Sequence, residues 1–240
     1  MNHPSNKSPL VLLCGLLCDR LMWHEVGKLL DDVAEVSIFS FAGFDSISQM
    51  AAHVLANSPE QFALAGHSMG GRVAFEIMRQ APHRVTRLAL LNTGVHPRSD
   101  KEVPGRQKLL ELSQGKGMSA VADSWLPPML SDTARQNPRL VAQLRKMVLR
   151  HSKQDFYGQI QALLNRPDAE QVLGQIQVPT LLMSGTEDQW SPVAQHQAIQ
   201  QHIAGSRLVI LEGVGHMSTV EAPEQIALAM RDWLSQQEQC

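Results

Sequence analysis

Leu64-Ala65-Gly66-His67-Ser68-Met69-Gly70-Gly71 sets a serine among glycines, between an apolar run and a helical pattern. A sharp strand-to-helix turn holds such a serine in a strained conformation, and glycines at 66 and 70 let the neighbouring backbone come close. The hydroxyl is pushed into the open at a helix N-terminus, where unpaired N–H groups and the positive end of the dipole favour developing negative charge. A Gly-rich turn whose serine merely caps a helix has the same local pattern, so the flanking chain must decide between that and a nucleophile elbow.

Outward from this stretch, apolar runs suited to strands occupy residues 9–13, 34–41, 62–65, 85–91, 179–184 and 207–211. Helical patterns fall between them at 23–30, 45–55, 192–203 and 223–234. After the serine, Val73, Ala74, Ile77, Met78 and Ala81 recur at helical spacing, while Arg72, Glu76 and Arg79 face elsewhere. Alternating strands and helices predict a mostly parallel sheet flanked by helices, because parallel neighbours need crossover connections. The rhythm stops from about residue 93 to 176, where only helical stretches at 107–112, 140–149 and 156–164 occur, with Trp125-Leu126-Pro127-Pro128-Met129 between them. The expected organisation is therefore one domain over 1–240 with a helical cap, 94–176, inserted within it.

The bulk composition narrows the function classes. The 240 residues carry 21 Lys plus Arg against 23 Asp plus Glu, a net charge of −2, which offers no electrostatic platform for nucleic acid or anionic membrane. Hydrophobic content of 43% with 18% charged residues is that of an ordinary globular protein. Cys14, Cys18 and Cys240 are too few and too scattered for a disulfide framework or a Cys-rich zinc site, and Cys14 and Cys18 lack the spacing of a redox motif. The apolar run at 10–13 is too short for a membrane span and has no signal-peptide pattern around it. A cytoplasmic protein is expected, with no membrane or nucleic-acid partner.

A nucleophilic serine needs a base within hydrogen-bond reach and a carboxylate to hold that base's tautomer. Asp188, in Ser184-Gly185-Thr186-Glu187-Asp188-Gln189, and His216, in Gly213-Val214-Gly215-His216, each follow a strand. Both therefore lie at the sheet edge that presents Ser68, the edge where open parallel sheets bind ligands. Glu187, adjacent to Asp188, is an alternative acid. An oxyanion hole requires two backbone N–H groups. Met69 supplies one, and Leu16, in the loop Cys14-Gly15-Leu16-Leu17 after the first strand, is placed to supply the other.

With Gly66-His67-Ser68-Met69-Gly70-Gly71, Gly185-Thr186-Glu187-Asp188 and Gly215-His216 in that order, the chain resembles the α/β-hydrolase superfamily. Its layout is similar to the compact bacterial esterase type of the pimeloyl-ACP methyl ester carboxylesterases. It departs from the family in opening the oxyanion loop with Cys14-Gly15 rather than His-Gly, and the family's first antiparallel strands are expected to be absent or vestigial. The resemblance implies a serine hydrolase that cleaves a small-molecule carboxylic ester with Ser68, Asp188 and His216, without metal or organic cofactor. A lactone, thioester, amide or carbon–carbon bond is the alternative on the same residues, and a non-catalytic small-molecule receptor on the same fold is a further one. Trp125, Leu126, Met129 and Phe156 of the cap are expected to roof the serine with apolar surface.

Overall fold

A computed structural model describes residues 7–235. Six strands, β1 (Ser8–Leu13), β2 (Ala34–Phe39), β3 (Phe62–His67), β4 (Val85–Leu91), β5 (Thr180–Gly185) and β6 (Arg207–Leu211), form one sheet. Their order is β2-β1-β3-β4-β5-β6, and every neighbouring pair is parallel. β3 and β5 are buried along their whole length, as continuous apolar runs in a sheet covered on both faces should be. The outer strands β2 and β6 are only partly buried.

Helices α1 (His24–Leu29), α2 (Ile47–Ala56) and α3 (Met69–Gln80) make the first crossovers. The chain steps one way from β1 to β2 and back across β1 to β3, so right-handed crossovers place α1 and α2 on opposite faces. α2 packs against α3, whereas α1 packs against the terminal helix of the described chain. The reversal opens a crevice at the C-terminal ends of β1 and β3, the place where doubly wound sheets receive ligands. The loop holding Leu16 and the turn holding Ser68 meet there.

Between β4 and β5 stand α4 (Val103–Trp125), α5 (Asp132–Arg135), α6 (Pro138–Leu149), α7 (Lys153–Leu164) and α8 (Glu170–Leu173), with no strand among them. α4 is far longer than the pattern at 107–112 suggests, because Gly105, Gly115 and Gly117 dilute its apolar stripe; Gly117, at φ 82° and ψ 177°, breaks it. α9 (Val193–His202), α10 (Ser218–Glu221) and α11 (Pro223–Ser235) complete the molecule, α11 being the partner of α1. The indoles of Trp23 and Trp233 are fully buried, each donating to a backbone carbonyl, of Leu13 at 3.1 Å and Pro179 at 3.0 Å. No helix among the described residues is long and apolar enough to cross a membrane.

Candidate active site

Ser68 sits between β3 and α3 at φ 56° and ψ −116°, a region costly for a side chain bearing Cβ. The surroundings over-determine it. Its N–H donates to the Leu91 carbonyl at 2.9 Å, and its own carbonyl accepts from Thr93 Oγ1 at 2.8 Å. A Cβ on Gly66 would collide with the Gly70 carbonyl, and one on Gly70 with the Leu13 carbonyl. These glycines thus lay the start of α3 directly onto the sheet. Leu17 (φ 55°) and Asn92 (φ 49°) are the other non-glycine residues of positive φ among those described, and they follow β1 and β4 as Ser68 follows β3. Backbone strain is gathered at this one sheet edge.

His216 Nε2 lies 2.9 Å from Ser68 Oγ, and its Nδ1 lies 2.9 Å and 3.0 Å from the two oxygens of Asp188. A carboxylate can only accept, so Nδ1 carries the proton and Nε2 is left to accept from the serine. Asp188 is buried, 3% exposed, yet fully answered. The amides of Trp190 and Ser191 donate to its Oδ1 at 2.8 and 2.9 Å, and Asn92 Nδ2 donates to its Oδ2 at 2.8 Å. Burial alone would raise its pKa; His216 and these hydrogen bonds overcome that and hold the carboxyl well below the usual carboxylate range. Glu187 turns away from the histidine, accepting instead from the Asp132 amide at 2.7 Å.

The loop carrying His216 is tied to the cap and to the elbow. The carbonyl of Met129 accepts from the amides of His216 (2.9 Å) and Met217 (3.2 Å), and Glu221 Oε2 accepts from the amides of Gly215 and Ser131. His67 Nε2 donates to the His216 carbonyl at 2.7 Å. Burial, reinforced by the neighbouring His216, pushes the His67 pKa down to about 3, so it holds that carbonyl as a neutral ring.

The amides of Leu16 and Met69 have no protein acceptor among the described residues, and both residues line the cavity that Ser68 and His216 open into. Gly15 lies against the elbow, where a Cβ would stand 3.2 Å from that of Ser68. The cavity measures about 420 Å³. Trp125 and Met129 form part of its wall, and Leu126 and Phe156 do not. Both are buried in the core instead, at 2% and 0% exposure. Leu126 lies just before the 3-10 turn Pro127–Met129, and on α7 it is Ile160 and Leu163, on the same face as Phe156 but one and two turns further along, that reach the cavity.

A family model described as "Serine aminopeptidase, S33" matches residues 22–223. The chain belongs to this hydrolase family. A pimeloyl-[acyl-carrier protein] methyl ester esterase of Nitrosomonas europaea is 29% identical over 189 residues, 75% of this chain and 74% of that protein. The enol-lactonase of Burkholderia xenovorans LB400 superposes with a TM-score of 0.87 at 26% identity, covering 96% of this chain and 92% of its own. A thermophilic esterase from Thermogutta terrifontis, solved with malate bound, gives 0.85 at 26% identity over 95% and 90%. These neighbours share the α/β-hydrolase fold.

Several residues of this hydrolase's site escape sequence reasoning. Asn92 reads as an ordinary residue after a strand, yet it joins Asp188 to Ser218, whose Oγ donates to Asn92 Oδ1 at 2.5 Å. Arg72 reads as outward-facing by its spacing, yet it lines the cavity. Its place four residues after Ser68, on the helix the serine begins, was the available signal. Cys14 and Cys18 are buried free thiols whose pKa values burial pushes up, so both stay protonated; Cys240 lies outside the described residues.

Proposed function

We propose that this hydrolase cleaves carboxylic esters of small molecules through an acyl-enzyme on Ser68. His216 takes the Oγ proton as the serine attacks the carbonyl carbon, and Asp188 holds the imidazole in its tautomer and stabilises the imidazolium. The Leu16 and Met69 amides receive the oxyanion. Collapse expels the alcohol, which takes the proton from His216. Water then enters, gives a proton to the same nitrogen, attacks the acyl carbon and releases the acid, restoring Ser68. The sequence needs no metal or organic cofactor, and the scattered cysteines suit a reducing, cytoplasmic setting.

The observation that carries this reading is the unbroken hydrogen-bonded chain from Ser68 Oγ through His216 to Asp188, opening on a cavity beside two unpartnered amides. A lactone, as a cyclic ester, meets the same chemistry, and likeness to an enol-lactonase favours it as the second substrate form. The test is hydrolysis of p-nitrophenyl acetate, p-nitrophenyl butyrate and a small lactone by wild type and Ser68→Ala. Wild-type turnover that falls by on the order of 10⁴ or more in the variant is expected. An active Ser68→Ala enzyme, or a wild type inert towards all three, overturns the reading.

A further inference from the structure

The wall of the cavity between α3 and the start of α4 is basic. Arg72, Lys101 and Arg106 line it, with Arg166 packed behind them, and the carboxylate among these groups is that of Glu102. Glu102 is already spent. Its Oε1 accepts from Arg166 Nη2 at 2.7 Å and from the Ser99 amide at 3.0 Å, and its Oε2 takes both Nε and Nη2 of Arg106 at 3.1 and 3.0 Å. Arg166, 6% exposed, also donates to the carbonyls of His96, Leu163 and Pro97.

Arg72 is the group left over. It is half-buried and forms no ion pair among the described residues; its hydrogen bond there runs from Nη1 to the His96 carbonyl at 2.6 Å. Glu76 and Asp168, which share a shallow crevice on its other side, are engaged elsewhere: Glu76 by Arg79, Gln80 and Ser48, Asp168 by the Glu170 amide. Arg72 also stands at the start of α3, where the positive end of the helix dipole opposes a cation. Beyond that hydrogen bond and the nearby, already paired Glu102, the described residues give this guanidinium no charged partner. A locally unfavourable residue facing a cavity marks a site completed by its ligand.

We propose that the substrate carries a free carboxylate beside its ester, and that Arg72, supported by Arg106, binds it. This rests on Ser68 being the reacting group. Four residues along α3 correspond to about 6 Å of helix, so the carboxylate lies within a short chain's reach of the scissile bond. A guanidinium suits this role because its planar fork pairs with a carboxylate through two parallel hydrogen bonds. Leu109, Ile160 and Leu163 supply apolar wall for the carbon chain between the two groups.

The test compares kcat/KM for monomethyl glutarate with its neutral isostere methyl glutaramate, and for 3-acetoxypropanoate with its amide, which separates a carboxylate on the acyl part from one on the alcohol part. Wild type is expected to prefer the acid of at least one pair by about tenfold or more, chiefly through KM. That ratio should fall towards one in Arg72→Gln, fall partly in Arg106→Gln, and recover in part in Arg72→Lys. Structural damage alone lowers both members of a pair together and leaves the ratio untouched. A wild-type ratio near one in both pairs, or a ratio unchanged in Arg72→Gln, overturns the proposal while leaving ester hydrolysis intact. A wild type inert towards all four esters instead removes the ester-hydrolysis reading, and this inference with it.

Discussion

At the Ser68 side of the cavity the buried charge of Asp188 is met by His216, Asn92 and two backbone amides, whereas on the basic side Arg72 meets a single backbone carbonyl. The first arrangement is complete before any substrate arrives, which is what a step depending on preorganised dipoles requires. The second is incomplete, and it stands one helical turn away on the same α3. The buried charge of the Ser68 side is satisfied by the protein itself, while the Leu16 and Met69 amides and, on our proposal, Arg72 keep their hydrogen-bonding capacity open for substrate.

The complete side is the easier to break, and the largest effects are expected there. Asp188→Asn should lower turnover by roughly 10⁴ at neutral pH, because the amide no longer selects the tautomer that leaves Nε2 free to accept. Glu187→Gln should stay within about tenfold of wild type, since Glu187 is bonded to the Asp132 amide and not to His216. An active Asp188→Asn enzyme beside an inactive Glu187→Gln enzyme would reverse the assignment. Steady-state rates on p-nitrophenyl butyrate decide it.

A smaller loss is expected one bond further out. Asn92→Leu removes a hydrogen bond to a charged group, worth about 1.5–3 kcal/mol, so kcat/KM should fall roughly ten- to a hundredfold. Unchanged kcat/KM in a folded Asn92→Leu protein would show that the remaining donors suffice for Asp188. On the cap, Trp125→Leu should shift the preference between butyryl and acetyl esters by roughly tenfold, the scale of a methylene or two in an apolar pocket. An equal loss on both esters would make the indole a packing residue only.

The smallest expected effect is on stability. His67 is held neutral with its pKa pushed down to about 3, chiefly by burial. An unfolded chain takes up that proton near pH 6.5, so below this value the unfolded state binds more protons than the folded one. Stability is therefore lost as pH falls from about 6.5, with a slope of at most about 1.4 kcal/mol per pH unit from this group. Urea unfolding between pH 7 and 4.5 should show a shallower acid loss in His67→Gln than in wild type, and identical slopes would contradict it.

The fold and the meeting of Ser68, His216 and Asp188 were legible because each depends on local signals. Apolar runs mark the buried strands, and a serine, an acid and a histidine next to glycines after three of them fall on one sheet edge by topology alone. The cap was less legible. Three glycines hide α4, and which residue of α7 reaches the cavity depends on how far along the helix the cavity lies, so of residues sharing one face Phe156 went to the core and Ile160, one turn on, to the wall. Arg72 carried one local signal, its place four residues after Ser68, but the basic groups that make a site around it, Arg106 and Arg166, lie far off in sequence, as do Asp188 and Ser218, the partners that make Asn92 a site residue.

A nucleophilic Ser68 must be trapped covalently by a reagent that mimics the ester carbonyl. Intact mass after treatment with a fluorophosphonate should show one adduct per chain, mapped by peptide sequencing to Ser68, absent from Ser68→Ala and slowed in Asp188→Asn. An adduct on any other residue, or labelling that persists undiminished in Ser68→Ala, would place the nucleophile elsewhere.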